Sequence, residues 1–302
     1  MLPKIFEKVR ILDFSRLLPG PFASRLLEEM GAKVTCVLPP LGDPILGDYT
    51  PFAALRENKK FLRLDLKDPA NHRKVREQVA ASEILLEGFR PGTMARLALS
   101  FEEAVQLRPD ILYVSLVGYP KEDEKYRQGG HDLNFLVDSG IYSLLYPDAS
   151  QEIPALQLGD VLGGLDAVLQ ILAAWIHRLQ NPAPQHLEVS IVAGLERLWE
   201  YLRHDTTPGL LPALTGSLAR YRIYLTKDRR RVAVASLEPK FYEALLAALS
   251  LTPQPGEGEA ELVDRIQEVF QTKTWEEWGK IFQDQDACVS LIPNRSEMLG
   301  RR

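Results

Sequence analysis

Among the chain's imidazole and carboxylate groups, four stand out as candidates to move protons. They are His131 and Asp132, adjacent in "GGHDLN", Asp160 in "GDVLGG" and Glu238 in "SLEPKFY". Imidazole and carboxylate groups are the commonest general acids and bases. Side chains of neighbouring residues point different ways, so His131 and Asp132 each need a partner elsewhere. His131 is either a working base or a loop histidine bonded to backbone, and Asp132 either a site carboxylate or an Asx-turn residue. Asp160 stands at the start of an apolar helix-like segment. It reads as an N-cap, or as a base or nucleophile beside its own anion site. In the second case Gly163 and Gly164 let backbone amides approach a developing negative charge. Glu238 precedes Pro239, which suits the first position of a helix, so it is also a helix-terminal charge.

Other chemistries have less support. Arg56, Lys59, Lys60 and Arg63, with Arg90 in "EGFRPG", are either phosphate contacts or a solvated basic face. Paired Cys/His ligand spacings, a Walker loop and a GxGxxG turn are missing from the sequence, so metal and dinucleotide chemistry are not expected. The net charge of −5 exerts no global pull on nucleic acid or anionic membrane. Cys36 and Cys288 sit in apolar runs and read as buried free thiols in a reducing, cytoplasmic setting. No stretch reads as a bilayer span, and the charged start "MLPKIFEKVRILDF" makes a poor signal peptide.

The elements that must carry these groups alternate in type. "VRILDFS", "AKVTCVL", "FLRLDL", "EILLEGF" and "ILYVSLVGY" read as strands, and helix-like stretches separate most of them. Asp68 and Pro69 form a helix start, and Gly31 a helix stop. "LGDVLGGLDAVLQILAAWIHRL" has helical spacing, and "HLEVSIV" reads as a strand. This rhythm predicts an open, mostly parallel sheet flanked by helices, a Rossmann-like large domain at 1–192. A linker is expected at 193–216, rich in Pro, Gly and Thr in "TTPGLLPALTG". A smaller α+β domain follows at 217–302, opening on an antiparallel hairpin across "KDRR". Thr274 and Glu277 form a possible capping box there.

The segments "RILDFSRLLPGPFASRLLEEMGAKV", "LDLKDP", "ILLEGFRPGTMARLALS", "ILYVSLVGY", "GHDLN", "GDVLGG", "LTGSLARYRIYLTKD" and "VASLEPKFY" together resemble the class III CoA-transferase family. Within it they are most similar to the α-methylacyl-CoA racemase branch. The likeness runs from about residue 9 to about residue 292, with the motifs in the family's order. It implies that Asp160 is the catalytic aspartate and His131 the racemase histidine. It implies that Glu238 supports that histidine and that Asp132 is the carboxylate associated with Asp160. Arg90, Lys59, Lys60 and Arg16 become candidate contacts to coenzyme A, and Tyr221 a pocket tyrosine. Coenzyme A is then part of the substrate, and no separate cofactor is expected. The amides opening the helix at Asp160 are the expected donors to an enolate oxygen. The implied reaction is racemisation of 2-methyl-branched acyl-CoA thioesters. A CoA-transferase acting through a covalent Asp160 intermediate and a non-catalytic acyl-CoA-binding protein are the alternatives. The implied partner is a second copy, in an interlocked homodimer whose sites draw on the large domain of one subunit and the small domain of the other.

The chain departs from that pattern in places. Leu38 stands where the family has an acidic residue. "RENKKF" replaces an "NRGKRS"-like stretch, with Glu57 in place of a basic residue. The sequence after "PPLGD" is unusual, and the chain stops at "MLGRR", ahead of the family's segment returning to the large domain.

Overall fold

The computed structural model describes residues 2–42, 54–146, 152–204 and 213–300. It forms two units, Met1–Arg203 and His204–Arg302. The stretch after "PPLGD" and most of "TTPGLLPALTG" lie outside the described residues.

In the first unit the apolar runs become six strands: β1 Arg10–Asp13, β2 Lys33–Leu38, β3 Lys60–Arg63, β4 Ile84–Glu87, β5 Leu112–Val117 and β6 Gln185–Ser190. They pair in the order β3-β2-β1-β4-β5-β6, parallel throughout. β4 and β5 are buried along their whole length, because helices cover both sheet faces. Successive residues serve opposite layers. Ile84 and Leu86 pack with Leu27, Val114 and Ile171, while Leu85 packs with Val75, Val79 and Tyr113. Helix α1, Pro19–Glu29, begins on Pro19 and Gly20 right after β1. Helix α2, Pro69–Ala80, is capped by Asp68, whose carboxylate accepts the Ala70 N–H at 2.9 Å, as the sequence predicts. Gly31 takes φ +102° at the end of α1 and so stops it.

Three further helices matter for the site: α3 Asp132–Asp138, α4 Leu158–Gln180 and α5 Ile191–Trp199. Helix α4 has 23 residues and is long and apolar enough, by length and composition, to cross a membrane. That corrects the expectation that no stretch qualifies. Its Ala167, Val168, Ile171 and Ala174 pack into the core beside the sheet. Helix α5 also shortens the expected 193–216 linker. Residues 193–199 are helical, and Leu195 is buried with Phe135 and Leu136. An apolar helix face with a packing surface available folds onto it, whatever the composition of the next stretch.

The second unit holds a three-stranded antiparallel sheet, with β7 Tyr221–Leu225, β8 Arg231–Ala235 and β9 Val289–Leu291 in the order β7-β8-β9. The expected hairpin across "KDRR" is there. Helices α6 Pro239–Leu249, α7 Glu259–Phe270 and α8 Trp275–Phe282 cover one face, burying Tyr224, Phe270 and Trp278. The Thr274–Glu277 capping box forms in both directions. Cys36 is buried, but Cys288 is exposed, contrary to expectation. It sits in a left-handed turn at φ 50° leading into β9, and that turns it away from the core.

Candidate active site

In the parallel sheet the chain runs outward in opposite directions from β1 and β4, so β2 and β5 leave the pair on either side. Loops after neighbouring strands diverge at such a point and leave a crevice beyond their carboxyl ends. A pocket of about 490 Å³ occupies this place. Its walls are the turn after β1 (Ser15, Arg16, Leu17), the loop after β4 (Gly88–Pro91), the end of β5 and the segment Gln128–His131. Asp160 and Phe135 complete it. His131, Asp160, Arg90 and Arg16, chosen from positions far apart in the sequence, therefore share one pocket.

The two glycines of "GGHDLN" have separate steric reasons. A Cβ on Gly129 would lie 2.4 Å from an Arg90 guanidinium nitrogen, and one on Gly130 would lie 2.6 Å from the Phe135 ring. They let the backbone pass between Arg90 and Phe135 and deliver His131 to the pocket rim. His131 is exposed and stands just before α3. Its N–H is held by the Asn134 side-chain oxygen at 3.1 Å.

Asp132 faces the other way, onto helix α4. Its Oδ1 accepts the Asp160 N–H at 2.9 Å, and it also bonds the Gly159 amide. Asp132 thus caps α4 from outside. Asp160 is not the N-cap the sequence suggests but the third residue of the helix. Two expectations fall with this. The Asp160 and Gly159 amides already serve Asp132, so they are not free donors for an enolate. Gly163 and Gly164 face neighbouring chain rather than a ligand. Their added Cβ atoms would lie 2.8 Å from Ile191 and 2.7 Å from the Pro19 carbonyl oxygen.

Burial, with the nearby Asp132 carboxylate adding to it, pushes the Asp160 carboxyl up to about 7. Asp132 is also raised by burial, opposed by the two amides it accepts. A carboxyl with that value holds or gives up a proton near neutral pH, which suits an acid/base.

The remaining candidates separate. Lys59 is only 7% exposed, and its Nζ donates to the Pro21 carbonyl at 2.9 Å and to Ser24 Oγ at 2.7 Å. It lines no described pocket, so the expected phosphate contact is corrected to an internal cation. Lys60 and Arg63 are exposed on edge strand β3. The Arg56 side chain lies outside the described set. Glu238 is exposed just before α6, with Pro239 at the helix's first position as expected. Tyr221 lines a hollow of about 540 Å³ on the second unit's sheet, with Ile223, Ala233 and Ala235.

Sequence reasoning missed Phe89 and Tyr126. The Phe89 ring lies under the Arg16 guanidinium, 5.4 Å from its centroid. Tyr126 lines the pocket and donates to Glu188. Burial, then Glu188, pushes its hydroxyl up to about 12. A lone aromatic in a loop carries no sequence signal for such a role. A second cavity of about 620 Å³ opens past the ends of β2 and β3, lined by Leu38, Pro39, Leu64 and Leu97. It shares Arg16 and Phe89 with the first.

Comparison with known proteins adds three findings. The family model described as CoA-transferase family III matches residues 6–301. An "Alpha-methylacyl-CoA racemase" of Mus musculus is 31% identical, over 98% of this chain and 79% of its own length. A "Succinyl-CoA:glutarate CoA-transferase" of the same species is 28% identical, over 79% of this chain and 58% of its own. Among solved structures, a hypothetical protein of Mycobacterium tuberculosis superimposes with a TM-score of 0.83 at 23% identity, covering 98% of this chain and 88% of its own. A CAIB/BAIF family protein of Brucella suis gives 0.82 at 19%, covering 99% and 86%. These structures share the fold.

Proposed function

The chain belongs to CoA-transferase family III, and from that premise we propose that it interconverts the two configurations at the α-carbon of 2-methyl-branched acyl-CoA thioesters. The observation that carries this reading is the pairing of two different acid/base types, His131 and Asp160, on the wall of one pocket, with the Asp160 carboxyl raised to about 7. Racemisation needs one group to remove the α-proton and another to return a proton to the opposite face. In one direction the Asp160 carboxylate takes the proton, and the C–H electron pair moves into the thioester carbonyl to give an enolate. Protonated His131 then delivers a proton to the α-carbon. The reverse direction exchanges the roles. The acidity of an α-proton beside a thioester makes this feasible without a metal or organic cofactor. The named racemase relatives support the choice of reaction.

We assign coenzyme A to the two neighbouring cavities, which share Arg16 and Phe89 as walls. In this reading the thioester enters the first, beside Arg16 and Arg90, and the nucleotide end reaches the second, past Phe89. A homodimer in a reducing, cytoplasmic compartment is part of the same proposal. Sedimentation velocity tests the dimer.

The test of the reaction is to incubate one epimer of a 2-methylacyl-CoA in deuterated water. Deuterium at the α-carbon together with loss of optical purity is expected. His131→Ala and Asp160→Asn should each lower the rate at least ~100-fold, the usual scale for a positioned acid or base. The transferase relatives motivate a second reading, in which Asp160 carries the acyl group. Transfer of coenzyme A to a free acid with no α-deuteration would put that reading first. Binding of coenzyme A with neither outcome would leave a non-catalytic acyl-CoA-binding protein.

A further inference from the structure

The cation that failed as a ligand contact has a more specific task. We propose that Lys59 is a positioning residue: through Ser24 and Asp13 it holds the Ser15–Gly20 turn in the shape that presents Arg16 to the pocket. This rests on reading the pocket as the acyl-CoA site.

The chain of bonds is continuous and buried. Asp13, Ser24 and Lys59 are 1%, 0% and 7% exposed. Lys59 Nζ donates to Ser24 Oγ at 2.7 Å, and the Ser24 hydroxyl donates to Asp13 Oδ2 at 2.5 Å. Asp13 Oδ1 then accepts both the N–H of Ser15, at 2.8 Å, and its hydroxyl. Lys59 also ties the Pro21 carbonyl, so one ammonium braces the start of α1 and the turn before it. Burying a cation and a carboxylate is costly unless their charges are met by hydrogen bonds, and here Lys59 makes two and Asp13 accepts from Ser15 and Ser24. Burial also pushes the Lys59 ammonium down, against the pull of Asp13.

What the network restrains is a turn that resists its own shape. Leu17 has φ 62°, a left-handed backbone that a leucine holds only where its surroundings impose it. A Cβ at Gly20 would lie 2.0 Å from Ser15 Oγ, so the turn closes tightly on itself. Arg16 sits in this turn between Ser15 and Leu17, with its guanidinium over the Phe89 ring. Its Nε is buried and lacks a hydrogen-bond partner among the described residues. A buried donor without a partner is costly, so this side-chain position too is one the surrounding turn has to impose.

The test uses the full chain with Ser24→Ala and, separately, Lys59→Met. Ser24→Ala leaves both charges in place, and it serves if Lys59→Met fails to fold. Peptide-resolved amide exchange reads the turn directly. Residues 14–20 should exchange ~100-fold faster while β4 and β5 keep their protection. Calorimetric titration with coenzyme A should show ~10-fold weaker binding, because a ligand must now order the turn. The KM for the thioester should rise while kcat stays within about twofold. Unchanged exchange in the turn, or protection lost evenly across the sheet, overturns the proposal. So does faster exchange with an unaltered coenzyme A affinity. If the wild-type chain binds no coenzyme A, the acyl-CoA reading fails, and the exchange measurement still decides whether Lys59 holds the turn.

Discussion

Asp160 is the residue whose environment does most to define the site. Its carboxyl titrates near 7 because the pocket wall withholds water and Asp132 adds a like charge. The folded value lies above the unfolded one, near 3.9. Between those two pH values the folded chain holds a proton that the unfolded chain has released. This contribution to stability is therefore complete below about pH 4 and lost as pH rises through about 7. Its size is on the order of a few kcal/mol. Asp160→Asn removes the ionisation, so at pH 8 the variant should melt about 5 °C above the wild type. The gap should close on acidification toward pH 4. Scanning calorimetry at both pH values checks this, and a variant less stable at pH 8 would count against a buried carboxylate.

At the scale of elements, glycines show which contacts serve packing and which serve ligand binding. Gly164 is where α4 crosses α1, and its added Cβ would strike the Pro19 backbone, which has nowhere to go. Gly164→Ala should cost about 1–3 kcal/mol, the range for overpacking, visible as a lower melting temperature. Gly129 meets only the far end of a flexible side chain. Gly129→Ala should leave melting nearly unchanged and move the Arg90 guanidinium, weakening coenzyme A binding by about tenfold, roughly the worth of one charge-assisted bond. Thermal scans and coenzyme A titrations on the two variants should therefore give opposite patterns. A stable Gly164→Ala, or a Gly129→Ala with native affinity, would contradict the assigned contacts.

Over the whole molecule, the two units carry separate cores. The cluster around Tyr224, Phe270 and Trp278 is drawn entirely from residues 219–287. A unit with its own core can fold alone. Residues 204–302 expressed by themselves should melt cooperatively, with the near-ultraviolet circular dichroism of a packed tryptophan at Trp278. A non-cooperative melt would mean that this core needs the first unit.

Legibility in the sequence followed the range of the forces involved. Strand and helix types, the Asp68 cap, the Gly31 stop and the hairpin across "KDRR" depend on neighbours within a few residues, so a linear reading finds them. The family was legible because whole motifs survive as strings, and the same strings nominated His131, Asp132, Asp160 and Arg90. What each listed residue touches was not legible. "GDVLGG" looks like a helix start offering free amides. Only folding brings Asp132 onto Asp160 and Gly159, and sets Gly163 and Gly164 against Ile191 and Pro19. Lys59 sits in a basic string next to exposed Lys60, yet the pairing of β2 with β3 turns one lysine inward beneath α1 and the other outward. Burial and pKa belong to the packed neighbours a side chain acquires, and Pro21, which accepts from Lys59, is 38 positions away from it in sequence. Residue type and spacing state which chemistry is available. Only the packed fold decides which groups are desolvated, which are already bonded, and which remain facing a ligand.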